Sequence, residues 1–393
     1  AEVRASSSAG IVAWQKDGVA VADDTDHQVL LNLQAADAGT YAAVLGLRSG
    51  TNVLATLSCD VARFLVLPFS DTPPFWAASL GCSGSIEVRS TVVDSAGNVY
   101  LAGAFRNTLK AGDQTLAVSS GDTDVFLAKF DSSGRLVWVR KAGGIRADRA
   151  QSVQVDATGS VYLAGTFTGT ASFGSFVLNA PVTARPDPVF VAKLDANGDW
   201  RWAVQNTGTC DAVCRGMVAD PAGNLYVMGT FNNGTAIFGN VTLRNESWRY
   251  AMFLLKLNAS GQILWARQMG GAETRTGDIG SVCPTVLGLE PSGGFYVGGN
   301  FADRLILDSI TLNSGSLYQQ AGFLARADAM GSFVWATSLG YDVQNATEDA
   351  AGHLYVLGEF FGTLSLGAVR LSTRTSGNYD LYLAKLAPDG TVL

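Results

Sequence analysis

The residues with the most chemical reach in this chain recur. Asp94-Ser-Ala-Gly-Asn-Val-Tyr-Leu-Ala-Gly-Ala-Phe105 returns as Asp156 to Phe167, Asp220 to Phe231, Glu290 to Phe301 and Asp349 to Phe360. Each copy reads acid-x-x-Gly, then a Tyr three residues after that Gly, then Gly-x-Phe. A carboxylate there could hold a cation, move a proton or cap a turn. The cation reading is sharpest at Asp195-Ala-Asn-Gly-Asp199, but Trp200 stands where a helix–loop–helix calcium site needs Gly. Turn capping fits better, because an Asp side chain bonds the N–H two residues on and Gly supplies positive φ. No metal and no cofactor is expected.

Catalysis finds little support in residue types. Glycoside hydrolysis needs two carboxyls at a defined separation, and the recurring acids sit in turns with no convergent pair. There is no Gly-x-Ser-x-Gly elbow. The only histidines are His27 and His353, and His353 takes the position held by Asn98 and Asn224 in other copies. The five cysteines are Cys59, Cys82, Cys210, Cys214 and Cys283, too scattered for a zinc site. Cys210-Asp-Ala-Val-Cys214 could close a small loop disulfide, or hold two isolated thiols. Asn-x-Ser/Thr at Asn233, Asn240, Asn245, Asn258 and Asn345 reads as chance in Asn- and Thr-rich turns.

The elements that carry these residues are short strands. The 393 residues are 47% hydrophobic and 16% charged, with 45 Gly, a composition suited to strands and tight turns. Net charge is −7 with no basic cluster, which argues against nucleic acid or an anionic membrane as partner. No apolar run approaches the roughly 18 residues of a spanning helix. Ala1-Glu2 suits the start of a mature chain whose leader has gone.

After each acid-x-x-Gly motif comes a variable section, then a second recurring strand. Its copies are Asp124 to Phe130, Pro188 to Leu194, Ala251 to Leu257, Ala321 to Ala327 and Asp380 to Leu386. Another tight turn follows, then a strand whose Trp lies four residues past the Gly: Trp138, Trp202, Trp265, Trp335. Four strands per unit at a period of roughly 60–70 residues predict propeller blades. The fifth copy stops at Asp389-Gly390-Thr-Val-Leu393, one residue short of its Trp, while Trp76 has no preceding unit. Trp76 and its neighbours are therefore expected to complete the fifth blade and close the ring. Tyr100, Tyr162, Tyr226, Tyr296, Tyr355 and the four strand tryptophans are expected to pack between blades.

These repeats, Asp-x-x-Gly-Asn-Val-Tyr-Leu-Ala-Gly-x-Phe with Phe-Leu-Ala-Lys-Leu and Gly-x-x-x-Trp, resemble the bacterial β-propeller repeats named for seven-bladed propellers. The resemblance covers about 320 residues and implies a secreted or surface protein. Here the copies number five. Residues 1–65 differ: Trp14 on one strand and Asp37-Ala-Gly-Thr-Tyr41 before another resemble a bacterial I-set immunoglobulin-like domain, with Tyr41 as its corner tyrosine. Its two core cysteines are absent, and the chain begins too late for a first strand, leaving an edge that a neighbouring chain could fill. Residues 66–74, with Pro68, Pro73 and Pro74, read as a stiff linker. The expected fold is all-β: an immunoglobulin-like sandwich over 1–65, a linker, and a five-bladed β-propeller over 75–393.

In a four-stranded meander, turns between strands one and two and between three and four share one end. Those turns are uniform here. The other end carries the two-to-three connections and the crossovers, and these differ between copies. Partner contact is expected there, through Trp248, Arg249 and Tyr250, Tyr318, Tyr379, and the crossover residues Arg146 and Arg149. The expected function is a non-enzymatic extracellular or cell-surface protein for adhesion or assembly of a surface structure. Its partner would be a protein, or a further copy meeting the loop face or the open immunoglobulin-like edge. Glycan binding is the alternative, and polysaccharide degradation a more distant one.

Overall fold

The computed structural model describes the backbone of residues 2–4, 11–16, 19–23, 27–29, 39–49 and 52–64. It describes residues 76–111, 114–180, 187–270, 281–290, 293–315, 319–374 and 377–393 with their side chains. The chain divides between Trp76 and Ala77 into two compact units.

In the N-terminal unit, Glu2–Arg4 pairs with His27–Val29, and a four-stranded antiparallel sheet runs Val19–Asp23, Ile11–Lys16, Gly39–Ser49, Asn52–Phe64. The expected corner contact of Tyr41 rests on a side chain outside the described residues.

The second unit is a series of antiparallel meanders, an all-β, propeller-like architecture. Sheet I comprises Ile86–Val93, Val99–Phe105, Asp124–Phe130 and Leu136–Ala142. Sheet II comprises Arg149–Val155, Val161–Thr166, Val189–Leu194 and Trp200–Gln205. Sheet III comprises Asp211–Ala219, Leu225–Asn232, Ala251–Leu257 and Ile263–Met269. Sheet IV comprises Val282–Leu289, Phe295–Ala302, Gln320–Ala327 and Phe333–Ser338. Sheet V has three strands, Asn345–Glu348, Leu354–Phe361 and Tyr379–Leu386. The second and third strands are buried on both faces in the middle of the series, which is why they read as near-continuous apolar runs.

Turn chemistry matches the sequence. One carboxylate oxygen of Asp94 accepts the N–H of Ala96 at 3.0 Å and of Asn98 at 2.9 Å. Asp131, Asp156, Asp195, Asp220, Asp328 and Asp349 repeat this pattern. Asp195 thus caps its own turn. The hydroxyl of Ser133, with backbone donors, holds Asp131 at about 2, well below its ordinary value.

Adjacent sheets are joined by a repeated lock. Trp138 and Tyr100 meet edge to face at 6.1 Å on the side of sheet I that faces sheet II, with Lys129 over the Tyr ring. At the next two joints Tyr162 meets Trp202 in a tilted pair at 6.3 Å, and Tyr226 meets Trp265 edge to face at 6.1 Å. The indole then lies on the three-to-four turn of the following sheet: Trp138 Nε1 donates to Ala196 O at 3.4 Å, Trp202 to Ala259 O at 3.1 Å, Trp335 to Pro388 O at 2.9 Å. A methyl on the turn glycine would meet that ring, at 3.0 Å for Gly198, 2.9 Å for Gly261 and 2.8 Å for Gly390. First strands of successive sheets also touch: Ser90 Oγ accepts from Val153 N, and Gln154 Nε2 donates to Met217 O.

Two expectations are corrected. Residues 76–80 form no strand, so they do not supply the expected fourth strand of sheet V; the first paired strand of the second unit is Gly81–Cys82, with Leu109 and Lys110 of sheet I's own hairpin. Cys210 and Cys214 are free thiols. Cys214 lies on the strand Asp211–Ala219 and Cys210 directly precedes it; extended backbone rises about 3.3 Å per residue, which carries the two apart, whereas a disulfide needs Cα atoms within about 7 Å. Burial pushes both thiols up to about 12.

The lock predicts a specific cost. Gly261 has φ +82° as well as a ring in the way. Gly261→Ala is expected to lower unfolding free energy by about 1–3 kcal/mol. Urea denaturation checks this, and an unchanged midpoint would remove the lock from the account.

Candidate functional site

The two ends of the meanders contrast as the repeats suggested. One end carries the capped turns. The other carries the two-to-three connections, each built around a small hairpin, and the crossovers. The hairpins are Thr108–Ala111 with Gln114–Val118, Thr170–Phe173 with Phe176–Asn179, Gly234–Phe238 with Val241–Asn245, Arg304–Leu307 with Ile310–Asn313, and Thr363–Leu366 with Val369–Ser372. The sequence marks these stretches only as variable sections. Yet Gly174, Gly239, Asp308 and Gly367, all at positive φ, open two-residue turns between alternating strands, a signal open to sequence reading.

Beyond the third hairpin the loop 245–250 is held from below. Asn245 is fully buried; its Nδ2 donates to Phe231 O at 3.0 Å and Arg249 O at 2.8 Å, and its Oδ1 accepts from Ser247 N. Asn232 Nδ2 donates to Trp248 O, and Tyr250 O accepts from Val282 N. These bonds fix the backbone and leave the Trp248 side chain outside, 79% exposed, with Tyr250 at 43% beside it. Arg249 is half-buried. A buried Asn245 also cannot carry a glycan.

Tyr379 belongs to another cluster. Its ring lies 4.7 Å from Tyr341 and 5.6 Å from Phe361. With Gln319, Gln320 and Leu364 they line a cleft of about 370 Å³. Tyr341 and Phe361 join Tyr379 only because crossover and second strand converge there, so neither was singled out as a contact residue beforehand. Arg146 and Arg149 are both exposed at the crossover into sheet II. The structure therefore distributes the expected contact residues over three places instead of gathering them in one site. Tyr318 lies outside the described residues.

Under the Arg146–Arg149 crossover sits a feature that went unread, a pair of buried carboxyls. Asp124 and Asp148 are both fully buried, and a methyl on Gly143 would lie 2.9 Å from Asp124 Oδ1 and 2.7 Å from Asp148 Oδ2. Asp148 accepts from Gly144 N at 2.7 Å and Thr168 N at 3.1 Å. Asp124 Oδ2 accepts from Ser120 N and Lys141 Nζ, while its Oδ1 has no partner. Burial, with the neighbouring charges of Asp124 and Asp187, pushes Asp148 up to about 7 against the two backbone donors. No sugar can reach carboxyls this deep. The pair ties the crossover to sheet II, a structural task. Among the described residues no cluster of three His, Cys, Asp or Glu side chains could hold a metal ion.

No protein-family model matches the chain. It is 23% identical over 235 residues to an uncharacterized WD repeat-containing protein of Acanthamoeba polyphaga mimivirus, covering 51% of this chain and 17% of that one. It is 27% identical over 192 residues to the regulatory protein FlaEY of Caulobacter vibrioides, covering 47% of this chain and 20% of that one. The chain thus spans a fifth or less of the curated relatives' length. The likeness to a WD-repeat protein agrees with a repetitive, propeller-like β architecture. Among solved structures, a protein of unknown function from Bacteroides caccae matches with TM-score 0.31 and 12% identity, covering 86% of this chain and 93% of that one. The exotype rhamnogalacturonan lyase YesX matches with TM-score 0.21 and 11% identity, covering 98% and 81%. No helix among the described residues is long and apolar enough to cross a membrane.

The carboxyl pair has a pH consequence. Asp148's folded value lies above the roughly 4 of an unfolded aspartate. The folded state then holds a proton the unfolded state has lost, so stability falls as pH rises from about 4 to about 7. Glu348 shifts in the same direction. The capped turn aspartates have the opposite sign and lose their contribution only below about pH 4. Urea midpoints measured at closely spaced pH values should decline across that window, and Asp148→Asn should flatten most of the decline. A wild-type profile flat between about pH 5 and 8 would contradict the assignment.

Proposed function

We propose that this chain is a non-enzymatic interaction scaffold of the cell surface or extracellular space, used in adhesion or in assembling a surface structure. Its repeats would be five blades of a β-propeller, with the N-terminal unit an immunoglobulin-like module. One observation carries this reading: an almost fully exposed Trp248 on a loop whose backbone is fixed by the buried Asn245. An indole in water on a preorganised backbone is what a contact anchor requires, because little ordering remains to be done on binding. It stands on the end where the repeats disagree, while the other end is occupied by short glycine turns of one pattern. The resemblance of the repeats to those of secreted bacterial propellers supports the location.

A second reading rests on the cleft of Tyr341, Phe361 and Tyr379. Aromatic faces beside the amides of Gln319 and Gln320 suit the apolar face and hydroxyls of a sugar. The partner there would be a glycan, on the same end of the meanders.

Binding of the labelled chain to intact bacterial cells, and to a glycan array, separates these readings. Trp248→Ala with Tyr250→Ala is expected to leave the thermal midpoint unchanged and to weaken cell binding about tenfold or more. Undiminished binding by that double variant would remove the loop from the function. Array signal lost with Tyr379→Ala would favour the glycan reading instead.

A further inference from the structure

Ile145 stands in water. It is 77% exposed, close to the 79% of Trp248, on the crossover that leads from Ala142 in sheet I to Arg149 in sheet II. A single exposed aliphatic residue on slack chain means little. This crossover is not slack. Gly143 exchanges backbone bonds with Ser172, its N–H donating at 3.1 Å and its carbonyl accepting at 3.0 Å. A Cβ on Gly144 would fall 1.8 Å from Thr170 O, and one on Gly121 would fall 2.2 Å from Ile145 O. Neighbouring backbone therefore presses on the crossover from both flanks, closer than any side chain would allow. Asp148 completes the clamp. Its N–H donates to Thr123 O at 2.7 Å, and its buried carboxyl accepts from Gly144 N and Thr168 N.

Charge beside Ile145 has one sign. Arg146 and Arg149 are exposed, and neither forms an ion pair among the described residues. Two other cations of the same end are occupied: Arg106 with Asp122 at 3.6 Å, and Lys141 with Asp124 at 3.4 Å. The carboxylate of Asp187, on sheet II's two-to-three connection, accepts from Thr168 Oγ1 at 2.9 Å. A methyl on Gly169 would lie 3.3 Å from Arg146 Cδ, so the Arg146 stem is laid along the start of sheet II's hairpin. In a chain of net charge −7, the crossover thus offers an aliphatic anchor with two guanidiniums that have no carboxylate of their own.

We propose that the crossover 143–149 docks an acidic protein segment, with Ile145 as the apolar anchor and Arg146 and Arg149 taking carboxylates of the partner. A guanidinium binds a carboxylate through two parallel N–H donors, which fixes orientation as well as adding attraction. The clamp beneath Ile145 means that little backbone order remains to be gained on docking. Sugar rings stack on flat aromatic faces, and the sequence from Gly143 to Arg149 contains none; an aliphatic anchor instead suits an apolar side chain of a peptide. Such docking rests on the scaffold reading, names the chemistry of one partner, and shares no residue with the Trp248 loop.

A phage-displayed random peptide library, depleted on the Ile145→Ser/Arg146→Glu/Arg149→Glu variant and then panned on the 393-residue chain, tests it. Enriched peptides are expected to carry Asp or Glu beside an aliphatic or aromatic residue. A labelled peptide from that set should bind about tenfold more weakly, or worse, to Ile145→Ser and to Arg146→Glu/Arg149→Glu. The charge-reversed variant should instead bind the same peptide with Lys in place of its acids, which a merely damaged crossover would not do. Both variants should keep the wild-type thermal midpoint, since the altered side chains are exposed. Trp248→Ala should leave the peptide's affinity unchanged, so this docking and the loop's role in cell binding fail separately. The proposal is overturned if no peptide is enriched, if the enriched set lacks acids, or if Ile145→Ser binds as the wild type does. Binding of polygalacturonate oligomers that is lost with the arginine variant, without any peptide enrichment, would assign the crossover to an anionic glycan instead.

Discussion

The arrangement depends on a tryptophan ring lying flat against a glycine. At each joint the indole of one sheet rests on the glycine-ended three-to-four turn of the next, so close that a Cβ would fall within about contact distance of ring carbons. Two requirements meet at that glycine. The turn needs a positive φ, and the ring needs the absence of a side chain. The capped turn presents the carbonyl to which the indole N–H donates, with Asp195 as the cap under Trp138 and Asn258 as the cap under Trp202. Turn, cap and ring are therefore one device, and conserving its geometry at every joint fixes the spacing between sheets.

Sheet III shows what happens when one part changes. Phe295 stands on sheet IV where Val99, Val161, Leu225 and Leu354 stand on the others. Trp265 stacks on it at 6.2 Å and 28°. The Nε1 of Trp265 then has no acceptor, and Lys256 Nζ donates to the Ala329 carbonyl. An added aromatic contact offsets the lost hydrogen bond, each of order 1 kcal/mol. The lock is thus held by apolar packing first, with the hydrogen bond setting its direction.

Much of this was legible because the repeat writes each element several times. The third strands run within one residue of the expected bounds, and the aspartate turns form the bonds their spacing implies. The misreadings share a cause. Cys210 and Cys214 suggested a loop because they are near in sequence, but strand geometry carries them apart. Trp76 looked free to fill a gap in sheet V, while Gly81–Cys82 had a partner in its own sheet's hairpin. Asp124 and Asp148 were invisible as a pair, because only the fold brings a third strand and a crossover against Gly143. Trp248 was legible as a loop aromatic, but its exposure depends on the buried Asn245, whose role in holding the loop no sequence pattern marks.

Sheet V keeps the joint positions of the other sheets. Tyr355 and Lys385 stand in the positions that pair Tyr100 with Lys129, the cation lies 5.1 Å from the ring, and leucines fill the apolar positions between. It is built as an interior sheet. Sheet I, by contrast, has its rear aromatics Phe105, Phe126 and Phe130 buried under its own hairpin and Leu80. Both sheets still expose apolar residues at joint positions: Val88 on sheet I, Leu357 and Leu383 on sheet V.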